Sequence, residues 1–127
     1  MRHALVILAL GCTACGKHDS ATVDAPGGGI DASSDTWGTW AQSFTMTYCA
    51  ATCHAPGGSG VRGGALDFTM YGKVFSNRVE IRCGVTAVAL ADCTGFPPPK
   101  QFPIAAPYPG GADRMRMVAW IAAGAPQ

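Results

Sequence analysis

The chain holds 127 residues at a formal net charge of +1, with 48% hydrophobic and 13% charged side chains, which leaves room for one domain and no second. Nine lysines and arginines against eight acidic residues fall far short of the basic excess of a nucleic-acid binder. The total conceals a split. Lys17 stands against Asp19, Asp24, Asp31 and Asp35 in residues 16–36, whereas beyond them seven basic residues face Asp67, Glu80, Asp92 and Asp113. That mild basic excess suits an acidic partner surface.

The first segment is a short basic start, Met1-Arg2-His3, followed by an unbroken apolar run over residues 4–10 and then small residues, the layout of a secretory signal. The run is far too short to span a bilayer. A cysteine directly after small residues, Thr13-Ala14-Cys15, resembles a bacterial lipoprotein signal with lipidation at Cys15, and Gly11-Cys12 is the alternative. The leucine usual three residues upstream is missing at both. Residues 1–15 are therefore expected to export the chain and anchor it by lipid to a membrane, on the periplasmic side or at the cell surface. Residues 16–36 have no aromatic residue and few branched apolar ones, so they are expected to form a flexible tether that buries no core.

All eleven aromatic residues lie between Trp37 and Trp120, which places the folded domain at residues 37–127. Trp37, Trp40, Ala41, Phe44 and Tyr48 recur at spacings of three and four, the stripe of an amphipathic helix that delivers Cys49 at its end. A Gly-rich loop spans residues 55–64. Phe68, Tyr71, Val74, Phe75, Arg78 and Ile81 predict a second helix, with Asp67 or Thr69 as its cap and Gly84 as its stop. Residues 85–90 fit either a helical turn or an extended segment. Six prolines and three glycines between positions 94 and 111 forbid regular structure and predict an extended loop across the domain. A last helix is expected over residues 112–123, ended by Gly124 and Pro126. The fold class that follows is all-α, with about three helices and no strand.

Tyr48-Cys49-Ala50-Ala51-Thr52-Cys53-His54 is the one dense chemical constellation. Two thiols and an imidazole within six residues at a helix end can set both sulfurs along one porphyrin edge while the histidine turns to the iron. Cys49 and Cys53 would form thioether bonds and His54 would be the axial ligand of one covalent haem c. The usual attachment motif has two residues between its cysteines. This chain has three, so the extra residue must bulge. His54 is the sole histidine of residues 37–127, since His3 and His18 lie upstream, and ligation by two histidines within the domain is excluded.

With these residues in view, the domain resembles the small class I cytochromes c, and in particular the short haem domains of exported bacterial proteins that end in a tryptophan-containing helix. The matching pieces are residues 44–54 (FTMTYCAATCH), Leu66-Asp67-Phe68, Phe96-Pro97-Pro98 and residues 117–126 (MVAWIAAGAP). The resemblance implies contact between Phe44 or Trp40 of the first helix and Trp120 of the last. It also implies a methionine ligand just before the loop prolines, where this chain has Phe96. Met46, Met115 and Met117 fall on helices, where core packing is the ordinary role. Met70 is left as the distal candidate, beside a five-coordinate iron or one that takes water or a side chain brought in by folding.

Cys83 and Cys93 are close in sequence and would pair as a disulfide in an oxidising compartment. A zinc site of Cys49, Cys53, Cys83 and Cys93 is the competing use of the thiols. The glycines at 57–64 lack the Gly-Lys-Ser/Thr ending of a phosphate loop. The leading functional expectation is one-electron transfer to a redox partner protein, an electron carrier before an enzyme, with no nucleic acid involved. A haem sensor or peroxidatic protein with an open distal site, and a haem-free disulfide-stapled surface lipoprotein, are the alternatives.

Overall fold

The computed structural model describes residues 31–51, 53–59 and 66–127. The export signal, Cys12, Cys15 and most of the expected tether lie outside the described residues. Those that are described form helices and irregular segments with no strand among them, an all-α fold.

The first helical run, α1, joins a wide π-helical turn Trp37–Ala41, an α-helical turn Gln42–Thr45 and a second wide turn Met46–Ala50. Thr36 and Thr39 open it by capping each other. The Thr36 hydroxyl accepts the Thr39 N–H at 3.3 Å, and the Thr39 hydroxyl accepts the Thr36 N–H at 2.9 Å, which satisfies two of the helix's orphan donors.

The single middle helix expected from periodicity is two helices, α2 (Tyr71–Ser76) and α3 (Arg78–Val85), broken at Asn77. The cause is local: the Asn77 carboxamide donates to the Lys73 carbonyl at 2.8 Å and leaves the backbone there in a non-helical conformation, the competition for which asparagine is disfavoured inside helices. Asp67 does bind the Thr69 N–H and hydroxyl, at 3.0 and 2.6 Å, but this turn precedes the helix, which starts behind Met70. Gly84 is not the stop. The helix runs through Val85 and ends where Thr86 turns extended, with the Thr86 hydroxyl donating to the Val88 carbonyl at 2.9 Å. Residues 86–90 are thereby non-helical, with a single tight turn Ala91–Cys93 beyond them.

The last helix, α4, spans Gly111–Ala122. Gly124 takes φ 96°, and the N–H groups of Gly124 and Ala125 return to the carbonyls of Ile121 and Trp120 at 3.0 Å each. This paired closure needs a left-handed residue after the cap, which glycine adopts without a Cβ penalty.

Trp37, Ala41 and Phe44 of α1 meet Val74, Ile81, Val85, Met117, Trp120 and Ile121 in one buried cluster. α1 lies along α4 through three contacts. The Trp37 and Trp120 rings sit 6.4 Å apart, the Arg116 guanidinium lies 4.7 Å over the Trp40 ring, and the Tyr48 hydroxyl donates to Asp113 at 3.4 Å. The Trp120 ring meets that of Trp37 at a tilt of 37°, and Phe44, one of the two residues the resemblance implied, shares the buried cluster with Trp120. Trp40, Phe44 and Tyr48 form a ladder with centroids 5.3 and 4.9 Å apart.

The packed body also reaches upstream of Trp37. Ala32 and Asp35 are buried, and Arg116 clamps the Asp35 carboxylate with two bonds of 2.6 and 2.7 Å. Composition overlooks this because a single ion pair, and not apolar area, draws the segment in.

The Pro-rich loop is pinned to the end of α3. Cys83 and Cys93 are bonded, Arg82 pairs with Asp92 at 2.6 Å, and the Lys100 and Phe102 N–H groups donate to the Thr86 and Gly84 carbonyls at 2.9 Å. Arg114 completes the attachment. It is buried, and its guanidinium donates to the carbonyls of Pro109, Val85 and Phe102 at 3.2, 3.0 and 2.7 Å.

Candidate functional site

The wide turn that closes α1 explains how three residues fit between the cysteines. The His54 N–H donates to the Cys49 carbonyl five residues back, at 3.0 Å, and this i→i+5 step takes up one residue more than an α-turn would. Cys49, Cys53 and His54 then line a single cavity of about 460 Å³, a size within the ~300–1,000 Å³ of small-molecule and cofactor sites.

His54 is held from three sides. Its Nδ1 lies 3.1 Å from the Leu66 carbonyl, which only accepts, so the proton sits on Nδ1 and the lone pair on Nε2 is left for a metal. Its ring stacks on Phe68 at 4.4 Å with an interplanar angle of 20°. Its own carbonyl accepts the Phe68 N–H at 2.7 Å. An imidazole fixed in tautomer and plane in this way is prepared to act as a ligand.

Cys49 and Cys53 both carry thiols. Burial, helped by the neighbouring Cys53, pushes the Cys49 thiol up to about 12, so it is protonated at neutral pH. Ser59 donates to the Cys53 sulfur at 3.9 Å. The remaining walls are mostly apolar: Leu66 and Phe68 beside the histidine, Ile81 and Val85 from α3, and Phe102, Pro103, Ile104 and Ala105 from the loop. Tyr48, Asn77 and Glu80 are the other polar side chains at its surface. Ile104, also on the lining, is 74% exposed and marks the mouth of the cavity.

Sequence reasoning finds the two thiols and the imidazole and lays the Pro-rich loop over the domain, but it does not single out the loop residues that form the wall, Phe102 to Ala105. Phe96, aligned with the ligand position of the resembling family, sits in a smaller hollow beside the disulfide with Pro97, Pro98 and Pro99. The cavity is faced by Phe102 to Ala105, behind the second group of prolines. Pro103 beside Phe102 was the available signal, since it repeats the Phe-Pro pattern of Phe96-Pro97. Met70 stands half exposed at the start of α2, and Met117 is fully buried in the helix core. None of the domain's methionines lines the cavity.

The cysteine-rich zinc alternative loses two of its donors, because Cys83 and Cys93 are joined to each other. No group of three or more His, Cys, Asp and Glu side chains is placed to hold a metal ion among the described residues. No helix among them is long and apolar enough to cross a membrane. No family model matches the chain, and neither the curated proteins nor the solved structures yield a match.

Proposed function

We propose that this chain is an exported, lipid-anchored haem c protein that carries one electron at a time to and from a redox partner. The observation that carries the reading is the meeting of Cys49, Cys53 and a tautomer-fixed His54 on one largely apolar cavity. Bound haem c would supply Fe(III)/Fe(II) cycling. The chain's own residues do the rest. His54 Nε2 would offer its lone pair to the iron. Cys49 and Cys53 would hold the porphyrin by thioether bonds, each a net addition of S–H across a vinyl group that needs no leaving group and no external oxidant. Ile81, Val85 and Phe102 would exclude water from the site, and the exposed Ile104 would leave an edge open for electron exchange.

The Cys83–Cys93 disulfide supports an oxidising compartment, in line with the signal-like residues 1–15 and Cys15, or Cys12, as lipid acceptor. The mild basic excess of the domain suits an acidic partner face.

The test is expression of the full chain beside a cytochrome c maturation system, followed by intact mass and haem staining in a denaturing gel. One haem added per chain, lost when Cys49 and Cys53 are both changed to Ser, supports the reading. Colourless protein at the mass of the polypeptide alone overturns it. Labelled fatty acid that remains on the Cys12→Ser chain and is absent from Cys15→Ser tests the anchor.

A further inference from the structure

We propose that the cavity leaves the iron's sixth position to an exogenous neutral diatomic ligand of the carbon monoxide or nitric oxide class. The inference rests on the haem c reading and concerns what the cavity walls lack. Beyond Cys49, Cys53 and His54, the described lining brings no thioether, no amine and no second imidazole. The four donors it does bring are weak or engaged. The Tyr48 hydroxyl is turned to Asp113 at 3.4 Å, Asn77 holds the Lys73 carbonyl at 2.8 Å, and the Ser59 hydroxyl points to the Cys53 sulfur. Glu80 stands exposed in the first turn of α3, and a carboxylate favours hard ions such as Mg²⁺, Ca²⁺ or Mn²⁺. The segment 60–65, Gly-Val-Arg-Gly-Gly-Ala, contains no methionine, histidine or lysine either.

The walls also select the ligand's charge. Ile81, Val85, Phe102, Pro103, Ile104 and Ala105 give an apolar surround in which an anion would lose its hydration without repayment. Among the described residues no Lys or Arg lines the cavity, and the arginines that flank its walls are committed elsewhere: Arg114 is held by three carbonyls and Arg82 by Asp92. A small uncharged molecule meets no such cost. The loop that would normally bring a ligating side chain is fixed in this ligand-free arrangement by the disulfide, by Arg114 and by the Phe102 N–H bond to Gly84.

The experiment uses the full chain after intact mass has shown covalent haem, and records visible spectra of the ferrous protein under carbon monoxide. A five-coordinate, high-spin spectrum that shifts on addition of carbon monoxide and saturates at one molecule per haem supports the proposal. A six-coordinate, low-spin spectrum unmoved by carbon monoxide overturns it, and gain of binding in His18→Ala or Met70→Leu would then name the side chain that fills the position. Absence of haem by mass is a different failure, one that removes the haem c reading itself.

Discussion

Replacing Gly84 with alanine sets two known effects against each other on one buried position. In an exposed helix interior the change would stabilise by about 1 kcal/mol, because alanine is the better helix former by roughly that amount. Here a Cβ would stand 2.8 Å from Cε2 and 2.9 Å from Cγ of the Phe102 ring, closer than carbon atoms approach. The ring cannot slide away with its backbone, since the Phe102 N–H is bonded to the Gly84 carbonyl at 2.9 Å and its carbonyl to Arg114 at 2.7 Å. Overpacking of this kind costs about 1–3 kcal/mol. The steric term wins, and Gly84→Ala is expected to destabilise by about 1 kcal/mol net, lowering Tm by roughly 4–8 °C for a domain of this size. Urea and thermal unfolding should be run on the parent, Gly84→Ala, Phe102→Ala and the double variant. With the ring removed, the same Gly84→Ala change should stabilise by up to about 1 kcal/mol. An equal stabilisation in both backgrounds would refute the reasoning, because Phe102 would then not rest on Gly84.

Three further outcomes follow from the same contacts. Arg114→Met, which keeps bulk but leaves the carbonyls of Pro109, Val85 and Phe102 without their donor, should cost about 2–4 kcal/mol in urea unfolding; a loss under about 1 kcal/mol would show that water replaces the guanidinium. The double change Cys83→Ser and Cys93→Ser opens a loop of sequence separation 10 and should cost about 3 kcal/mol by loop-closure entropy, with reducing agent giving the same loss in the parent. The Arg116 bonds hold the Asp35 carboxyl below its ordinary value, so the stability it adds is full above about pH 4 and is lost as pH falls through the lowered value. Asp35→Asn should flatten that acid limb of a Tm-against-pH curve, and an unchanged limb would remove the pair from the account.

What was legible from residues alone was whatever follows from periodicity and composition. The three-four spacing of Trp37, Phe44 and Tyr48 placed α1, and Gly124 with Pro126 placed the end of α4. The middle helix failed at Asn77 because one side-chain amide outweighed an apolar stripe that continues on both sides of it. Asp35 failed for a similar reason. A run of small and acidic residues reads as solvated until a cation 81 positions later is seen to grip it. The loop was expected across the domain, but Phe102 to Ala105 were not singled out as its cavity wall, because a loop has no period and their placement depends on Arg114 and a disulfide that act across the chain.

The arrangement of those cross-chain ties is itself informative. Cys49, Cys53 and His54 are delivered by a helix and its wide closing turn, a local device that needs only residues near them in sequence. The loop wall is held by non-local ties: a bond from Cys83 to Cys93, a buried guanidinium from α4, and two backbone bonds to the end of α3. A loop of six prolines already loses little entropy on ordering, so a buried cation is more than its folding alone requires. Such reinforcement makes sense where the position of the wall matters more than its stability. Side chains around a metal site tune access and polarity only if they stay in place. On the haem c reading, the ties on Phe102 would fix a ligand-poor wall over the site and exclude solvent from it.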